Sequence, residues 1–194
     1  MDLNSDYFTS VELQEMGMRV GNNVRIHKKA SVYGAENIVI GDNVRIDDFC
    51  VLVATGPLVI GSFVHIPPFC FLGAKFGIFI GDYVSFAHGV KVYSSADDYS
   101  GEHLTGCMVD SAFVKGGGDR VEIKNHCIIG ANSIVLPSVV IEKGVAVGAL
   151  SLVKGRLEEF GIYAGIPAKR IKDRSRNMLE LLPANFSLKD DCEK

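Results

Sequence analysis

The sequence predicts an all-β solenoid with three short strands in each coil. Between residues 20 and 92 a glycine recurs every 20 residues, each time directly after an aliphatic residue. Within each unit, apolar residues recur every six positions, and polar pairs separate them. Repetition at a fixed period of this length is typical of solenoids. The glycines are Gly21, Gly41, Gly61 and Gly81.

Composition indicates one globular domain, or one domain with an appendage. The chain has 194 residues, of which 47% are hydrophobic and 22% charged, so it can bury a core. A net charge of −3 gives no electrostatic reason to expect nucleic acid or an anionic membrane as a partner. No apolar run approaches the length of about 20 residues that a membrane span needs, and the polar start does not resemble a signal peptide.

The five cysteines include no CxxC pair. Cys50, Cys70 and Cys127 fall in an inward-facing column of the repeat, so we interpret them as small core residues rather than as disulfide or zinc ligands. Reduced thiols in a core favour a cytoplasmic protein. The remaining two are Cys107 and Cys192.

Residues 1–19 precede the repeats and are expected to cap the open end of the solenoid. Thr9 followed by Glu12 matches a capping box, in which a side chain and a backbone N–H at each position satisfy one another. Val11, Leu13 and Met16 would give the short helix one apolar edge.

From Val20 each coil is predicted to contain three flat strands joined by tight turns, which makes a triangular prism. Polar or proline pairs such as Asp47-Asp48 and Pro67-Pro68 supply the turns. Two extra residues at one corner explain why the first coils have 20 residues instead of 18. The inward positions are 20, 26 and 32, then 40, 46 and 52, then 60, 66 and 72, then 80, 86 and 92.

Residues 93–120 break this pattern and are called the excursion below. The repeat resumes at Val121-Glu-Ile123, which is predicted to lie on Ile78-Phe-Ile80 of the coil before it. Gly116-Gly117-Gly118 provides flexibility, and no phosphate-binding glycine motif follows. A departure of about 28 residues from a compact scaffold is usually functional.

Two further coils of 18 residues carry the predicted β-helix to residue 156. For residues 157–194 we expect a helical turn at 157–160, a compact turn ending in Lys169 and Arg170, and a helical tail at 175–182 that Pro183 ends. The last ten residues are expected to fray.

The repeat [LIV]-G-x-x-[VSTAC]-x resembles that of the hexapeptide-repeat acyltransferases, in the branch of galactoside, maltose and xenobiotic acetyltransferases. Three segments carry the resemblance to that branch: Ile129-Gly-Ala-Asn-Ser133, Val147-Gly-Ala-Leu-Ser151 and Ala164-Gly-Ile-Pro-Ala-Lys169. Asn43-Val-Arg-Ile-Asp-Asp-Phe-Cys50 and the Asp97-Asp98-Tyr99 region are most similar to N-acyltransferases of dTDP-4-amino-4,6-dideoxyglucose and to surface-polysaccharide acetyltransferases.

The resemblance implies a left-handed parallel β-helix of about six coils and a homotrimer with acyl-CoA, such as acetyl-CoA, in the groove between subunits. Left-handedness comes from the resemblance alone, because parallel crossovers are generally right-handed. The residues that contact CoA in the family map onto Ala131, Ala149, Lys154, Lys169 and Arg170. The cations would pair with its phosphates, although solvated cations near a chain end would look the same.

Acyl transfer requires a base near the nucleophile and hydrogen-bond donors for the oxyanion. His88 is the main candidate, because it lies in the last full turn before the excursion and about 4.8 Å, one strand spacing, below Ala131. A solvated turn histidine is the alternative interpretation of His88. His65 is the second candidate, since it points outward in one column with Arg25, Arg45 and Ser85.

The other histidines have weaker assignments: His27 is expected at the surface, His126 in a structural turn, and His103 inside the excursion. The galactoside-type enzymes carry their catalytic histidine in the excursion, whereas this chain has Asp97 and Asp98 there. These acids would orient His88 or hold a substrate amino group, or else be solvated turn residues. Candidate substrate-binding residues are His65, Ser85, Tyr99 and Glu102.

We therefore expect an acyltransferase, most simply an acetyltransferase, that acylates an amino or hydroxyl group of a nucleotide-linked sugar in surface-polysaccharide (O-antigen or capsule) biosynthesis. The alternatives are an O-acetyltransferase of free or polymeric sugars and a non-catalytic assembly module. A γ-class carbonic anhydrase, which shares the scaffold, needs three zinc-binding histidines with two of them four residues apart, and no pair here has that spacing. No metal cofactor is expected.

Overall fold

Three parallel sheets form the faces of the β-helix in the computed structural model, which describes residues 6–181. In chain order the strands are β1 (Arg19–Val20), β2 (Arg25–Ile26), β3 (Ser31–Tyr33), β4 (Ile38–Ile40), β5 (Arg45–Ile46), β6 (Val51–Val53), β7 (Leu58–Ile60), β8 (His65–Ile66), β9 (Phe71–Gly73), β10 (Ile78–Ile80), β11 (Ser85–Phe86), β12 (Lys91–Tyr93), β13 (Val121–Ile123), β14 (Ile128–Ile129), β15 (Ile134–Val135), β16 (Val140–Ile141), β17 (Ala146–Val147), β18 (Leu152–Val153), β19 (Arg156–Leu157), β20 (Gly161–Ala164) and β21 (Lys169–Asp173).

Every third strand joins the same sheet, which confirms the predicted triangular coil. The sheets have the orders β1-β4-β7-β10-β13-β16-β19, β2-β5-β8-β11-β14-β17-β20-β21 and β3-β6-β9-β12-β15-β18. They make about seven coils, one more than the sequence predicted. Backbone groups of the strands pair with the coil above or below them, so strands of two or three residues suffice.

The core is a set of stacked ladders made by the inward-facing residues of each coil. Ile46, Ile66, Leu52 and Leu72, which the six-residue spacing placed inside, are fully buried. The thiols of Cys50, Cys70 and Cys127 are also buried, in the predicted column. Burial raises the pKa of the Cys127 thiol to about 12, so this thiol remains protonated. Cys192 lies outside the described residues.

The repeating glycines are required by the close approach of successive coils. A Cβ atom added to Gly61 would lie 2.7 Å from the carbonyl carbon of Gly81 in the next coil. Gly41 faces Gly61 in the same way, with the corresponding distance 2.9 Å. A contact with backbone that short cannot be relieved by a rotamer change, which explains why the glycine recurs with the coil period.

Two turn columns hold aromatic residues in the left-handed backbone region. Phe63, Tyr83 and His126 have φ near +60° and stack their rings at centroid distances of 4.8 and 5.1 Å. Phe49 and Phe69 form a second stack at 5.4 Å. Bulky residues rarely adopt this conformation, and ring stacking between coils offsets part of its cost.

The helix α1 (Ser10–Glu15) begins where the capping box predicted it. The Glu12 N–H donates to Thr9 Oγ1 and the Thr9 N–H donates to the Glu12 carboxylate, so both halves of the box are present. Leu13 is fully buried and anchors the helix on the first coil. Among residues 6–181, no helix is both long and apolar enough to cross a bilayer.

The excursion leaves between β12 and β13, and β13 returns in the predicted register. Ile78 pairs with Val121 and Ile80 with Ile123. Within the excursion, the regular features are a 3-10 turn (Ser111–Phe113) and two bridges, one between Ala96 and Gly117 and one between Leu104 and Val114.

The carboxyl-terminal part differs from the prediction. Residues 157–160 do not form a helical turn, because β19 and β20 extend two sheets beyond the predicted end at residue 156. The strand β21 then pairs antiparallel with β20. A 3-10 helix, Asn177–Leu181, occupies part of the predicted helical tail, and residues 182–194, with Pro183 and the predicted frayed end, lie outside the described residues.

Candidate functional site

The outward column of the second sheet supplies the first part of the site. Backbone pairing aligns Arg25 with Arg45, Arg45 with His65, and His65 with Ser85. His65 therefore points outward beside Arg45, as predicted from the repeat. Ser85 lies one coil further along, directly before the turn that carries His88.

Asp47 is the buried centre of this column. It follows β5 directly, is 6% exposed, and accepts hydrogen bonds from Arg45 Nε at 2.6 Å and from His65 Nε2 at 2.8 Å. The Tyr7 hydroxyl donates to the same carboxylate at 3.4 Å. Burial by itself would raise the pKa of Asp47, but the hydrogen bonds from His65 and Arg45 outweigh burial and lower it. Asp47 is therefore an ionised carboxylate at neutral pH.

The amino-terminal segment completes this region by pairing with the first coil. Phe8 N–H donates to the Ile26 carbonyl and Lys28 N–H to the Asp6 carbonyl, which holds Tyr7 over the sheet. The Tyr7 ring meets His27 edge-on at 5.5 Å, and the Arg45 guanidinium lies 6.0 Å from the centre of the Tyr7 ring.

These residues enclose a cavity of about 480 Å³, which we call the histidine cavity. Its lining comprises Asp6, Tyr7, His27, Arg45, Asp47, Asp48, His65, Pro67, Pro68 and His88. The volume lies within the usual range of small-molecule sites. Three of the five histidines, His27, His65 and His88, thus line the same cavity.

His88 lies on the rim of the histidine cavity, in the turn between β11 and β12. Its carbonyl accepts a hydrogen bond from the Asn132 N–H at 2.9 Å, so Ala131 is positioned one coil above it. The side chain is exposed, and its ring forms no hydrogen bond or ion pair with any of residues 6–181. His88 is therefore free to meet a ligand.

The excursion forms a second cavity of about 280 Å³. Asp97, Asp98, Tyr99, Glu102, His103 and Lys115 line it together with Ser100, Gly116 and Gly117. Neither acid lines the histidine cavity. Neither Asp97 nor Asp98 contacts His88 within one protomer, so the orientation of His88 by either acid stays a prediction.

Asp98 instead organises the excursion itself. It accepts hydrogen bonds from the Ser100 hydroxyl at 2.6 Å, the Ser100 N–H at 2.7 Å and His103 Nδ1 at 2.9 Å. The bonds from Ser100, and then the one from His103, hold the pKa of Asp98 well below its usual range. Asp97 is exposed, as are Tyr99 and Glu102, so these side chains can reach a ligand outside their own protomer.

Of the predicted acyl-CoA residues, Ala131 and Ala149 lie at the same corner as His88, in the turns after β14 and β17. Lys154 lies at the next corner, between β18 and β19, and Lys169 and Arg170 lie on β21. Leu150 N–H donates to the Ala131 carbonyl at 2.8 Å, which stacks Ala149 above Ala131. Leu150 and Ile166 are exposed apolar residues beside them, and Lys154 and Lys169 are exposed cations. Exposed apolar side chains and exposed cations in the last coils fit a ligand with an apolar arm and an anionic end.

Arg170 is less available than the two lysines. Its Nη2 pairs with Asp173 at 2.6 Å, and its Nη1 donates to the Tyr163 hydroxyl at 3.2 Å. The contact with Asp173 is solvent-exposed and therefore weak. Within residues 6–181, no three His, Cys, Asp or Glu side chains are grouped as metal ligands.

Sequence reasoning missed the role of Asp47, which it took as part of a turn, and it left His103 unassigned. A signal for Asp47 exists in the spacing: Arg45 and Asp47 flank an inward isoleucine, and the repeat brings His65 alongside. A carboxylate between an arginine and a histidine in stacked coils is an expected acceptor of hydrogen bonds from both side chains. The contact of Tyr7 depends on how the amino-terminal segment folds back, and no repeat records that.

No family model matches the chain. It is 45% identical over 177 residues, which are 90% of this chain and 92% of the relative, to a dTDP-4-amino-4,6-dideoxy-D-glucose acyltransferase from Escherichia coli. It is also similar to AntD, an N-acyltransferase from Bacillus cereus solved in complex with dTDP and 3-hydroxybutyryl-CoA. That match has 42% identity and a TM-score of 0.86 over 91% of this chain and 94% of the other.

A hexapeptide-repeat acetyltransferase from Vibrio cholerae superposes with a TM-score of 0.56 over 85% of this chain and 78% of its own, at 18% identity. At that identity the likeness concerns the fold alone. It agrees with the left-handed parallel β-helix that the hexapeptide repeat implied.

Proposed function

The chain belongs to the family of dTDP-4-amino-4,6-dideoxyglucose acyltransferases, and on that basis we propose that it acylates the 4-amino group of a dTDP-linked 4-amino-4,6-dideoxy sugar. It is an acyl-CoA-dependent sugar acyltransferase. The observation that carries the finer proposal is the histidine cavity, which opens one coil below the alanine column at His88. That arrangement supports an acceptor site and a thioester site that meet at one imidazole.

The acyl-CoA would lie along the corner that carries Ala131 and Ala149. Its apolar arm would contact the exposed Leu150 and Ile166, and Lys154 and Lys169 would pair with its phosphates. Arg170 would join them after releasing its exposed contact with Asp173. When bound, acyl-CoA supplies the activated acyl group.

His88 would act as the general base. As the sugar nitrogen attacks the thioester carbonyl, the C–N bond forms and the C–S bond breaks. The proton lost by the amine passes to a ring nitrogen of His88, which returns it to the departing thiolate. A backbone N–H would stabilise the charge that develops on the carbonyl oxygen.

The rest of the site would come from a neighbouring subunit of a homotrimer. His88 has no acidic partner among residues 6–181 of its own chain, while the exposed Asp97, Tyr99 and Glu102 face outward from the excursion. Asp97 of one subunit would hold the sugar amino group of the substrate at His88 of the next. His65 and Ser85 would contact the sugar from the scaffold side.

The cellular compartment and the biosynthetic role of the enzyme belong to the same proposal. We infer a cytoplasmic enzyme, supported by three buried free thiols among the described residues. The resemblance of residues 43–50 and of the Asp97-Asp98-Tyr99 region to surface-polysaccharide acetyltransferases supports a role in lipopolysaccharide biosynthesis.

A substrate panel tests this function. The purified protein is given acetyl-CoA or 3-hydroxybutyryl-CoA with dTDP-linked 4-amino-4,6-dideoxy and 4-hydroxy-6-deoxy sugars, a free galactoside and maltose, and thiol release is followed. We expect the highest kcat/KM with the dTDP-linked amino sugar. Preferred transfer to the 4-hydroxy sugar, the galactoside or maltose would replace the proposal by O-acylation.

A further inference from the structure

The hydrogen-bonded group Tyr7, Asp47 and His65 fixes the position of a proton on the wall of the histidine cavity. Asp47 is nearly buried and ionised, and an ionised carboxylate can only accept hydrogen bonds. The 2.8 Å contact between His65 Nε2 and Asp47 Oδ2 therefore requires the imidazole to carry a hydrogen on Nε2. In the neutral ring, Nδ1 then keeps its lone pair.

The remaining geometry leaves that Nδ1 available. The His65 side chain is 46% exposed and lines the histidine cavity, while the side chain of Asp47 is 9% exposed. Among residues 6–181 the ring of His65 has Asp47 as its side-chain partner and no other hydrogen-bond contact. Pairing with Asp47 thus holds the ring by one nitrogen and presents the other to the cavity.

We propose that Asp47 is a positioning residue that fixes the tautomer of His65, so that His65 Nδ1 accepts a hydrogen bond from a hydroxyl group of the acceptor sugar. The inference rests on the proposed function and names the substrate group that this wall recognises. An acceptor nitrogen selects a donor such as a hydroxyl and disfavours the diphosphate, whose oxygens also only accept. The sugar ring, and not the diphosphate, would therefore lie against His65.

The surrounding charges are consistent with this division of the cavity. Arg45 donates to Asp47 Oδ1 at 2.6 Å and neutralises it, so the carboxylate does not repel an anionic nucleotide sugar. His88 lines the same cavity, and its ring has no hydrogen-bond partner within the described part of the chain, residues 6–181. A sugar held at His65 by a hydroxyl group would lie in the cavity that His88 also lines, where the proposed transfer occurs.

The first test compares two substitutions of His65. His65→Gln keeps an amide donor at the position where His65 Nε2 contacts Asp47, but it has no atom in place of Nδ1. His65→Asn keeps a polar atom near the position of Nδ1 and loses the contact with Asp47. We expect His65→Gln to raise the KM for the amino-sugar nucleotide roughly 3- to 10-fold, as for one lost hydrogen bond, with kcat and the KM for acyl-CoA unchanged. His65→Asn should raise the KM for the amino-sugar nucleotide less than His65→Gln does.

The second test is on Asp47 and on the unaltered protein. Asp47→Asn should raise the same KM to a similar extent, because an amide can present either oxygen or hydrogen to His65 and no longer fixes the tautomer. ¹⁵N NMR of histidine-labelled protein should give the Nε2–H tautomer for His65, assigned by the signal lost in His65→Gln, and a mixture in Asp47→Asn. Arg19→Gln, an exposed cation on another sheet, is the control.

An Nδ1–H tautomer of His65, or a KM in His65→Gln within twofold of the unaltered protein, would overturn the inference. The NMR measurement on the unaltered protein needs no turnover, and its assignment requires only that His65→Gln folds. If the unaltered protein acylates no dTDP-linked amino sugar, the proposed function fails separately, whatever the tautomer.

Discussion

At the scale of single residues, His88 carries the most direct prediction. Replacing His88 by Ala should lower kcat by roughly 10²–10⁴ while leaving the dissociation constant of acyl-CoA unchanged, because a general base acts on the chemical step and not on binding. An effect near the lower end would agree with an amine nucleophile, which needs less help than a hydroxyl. Steady-state kinetics and calorimetric titration with CoA measure the two quantities.

The exposed Arg19→Ala, on a different sheet, provides the matched control for that substitution. An undiminished kcat in His88→Ala would mean that His88 is a solvated turn residue, which is the alternative interpretation of this histidine.

His126 gives a prediction about pH. Burial, together with the positive charges of Lys143 and Arg174, lowers its pKa, and Nε2 has no hydrogen-bond partner among residues 6–181. Below the ordinary histidine value of about 6.5 the unfolded chain takes up a proton that the folded ring resists, so this residue makes stability fall as pH falls from neutral.

Replacing His126 by Phe should remove that dependence. Phe63 and Tyr83 occupy the same turn column with the same positive φ, so a phenyl ring can continue the stack. As pH is lowered from 7 to 5, the Tm of the variant should rise relative to the Tm of the unaltered protein. A difference that is constant over this range would show that His126 does not titrate on unfolding.

At the scale of strands and turns, the close approach between coils is the feature to test. Gly61→Ala should lower the free energy of unfolding by about 1–3 kcal/mol, because its Cβ would lie 2.7 Å from the carbonyl carbon of Gly81. Denaturant unfolding measures the change. Gly117→Ala is the matched control, since a Cβ there meets no atom within 4 Å, and an equal loss in both variants would refute the packing explanation.

The scaffold was predictable because each of its rules is local. The capping box at Thr9 and the six-residue columns depend on a few neighbouring residues, and the return of Val121 onto Ile78 follows from keeping the same column. One corner does not keep the six-residue spacing. From the third sheet to the first, the inward positions are eight residues apart between Leu52 and Ile60 but only four apart between Val153 and Leu157.

That corner explains the wrong prediction at residues 157–160, because a search for six-residue spacing cannot follow a shortened turn. The excursion leaves the β-helix at the same corner, between β12 and β13. Chain length therefore varies at one edge of the prism, while the other two corners keep their spacing.

The site was less predictable than the scaffold. The outward positions of His65 and His88 follow from their columns, but the contact of Asp47 with Tyr7, which lies 40 positions earlier in the sequence, does not. The pairing of Asp98 with His103 depends on how an irregular segment folds. Side-chain contacts of this kind follow from three-dimensional packing, which periodicity does not describe.

At the scale of the whole molecule, the homotrimer and its shared sites are the proposal to test. Light scattering should give a mass of about 63 kDa, three chains of 21.0 kDa. Co-expression of His88→Ala and Asp97→Asn chains should restore activity, because a site with an intact His88 from one chain and an intact Asp97 from its neighbour then exists at about a quarter of the interfaces.

Each variant alone provides the baseline for that experiment. Mixed assemblies that are no more active than the separate variants would mean that His88 and Asp97 act within one chain, or that Asp97 has no part in the reaction.

The strand β21 has a consequence for how these molecules behave at high concentration. A parallel solenoid ends in unpaired backbone groups that could accept the first coil of another molecule and propagate into a fibre. Here a reversed strand with four charged residues among five covers that end of the second sheet. The same segment that bears Lys169 thus also acts as a stop against end-to-end polymerisation.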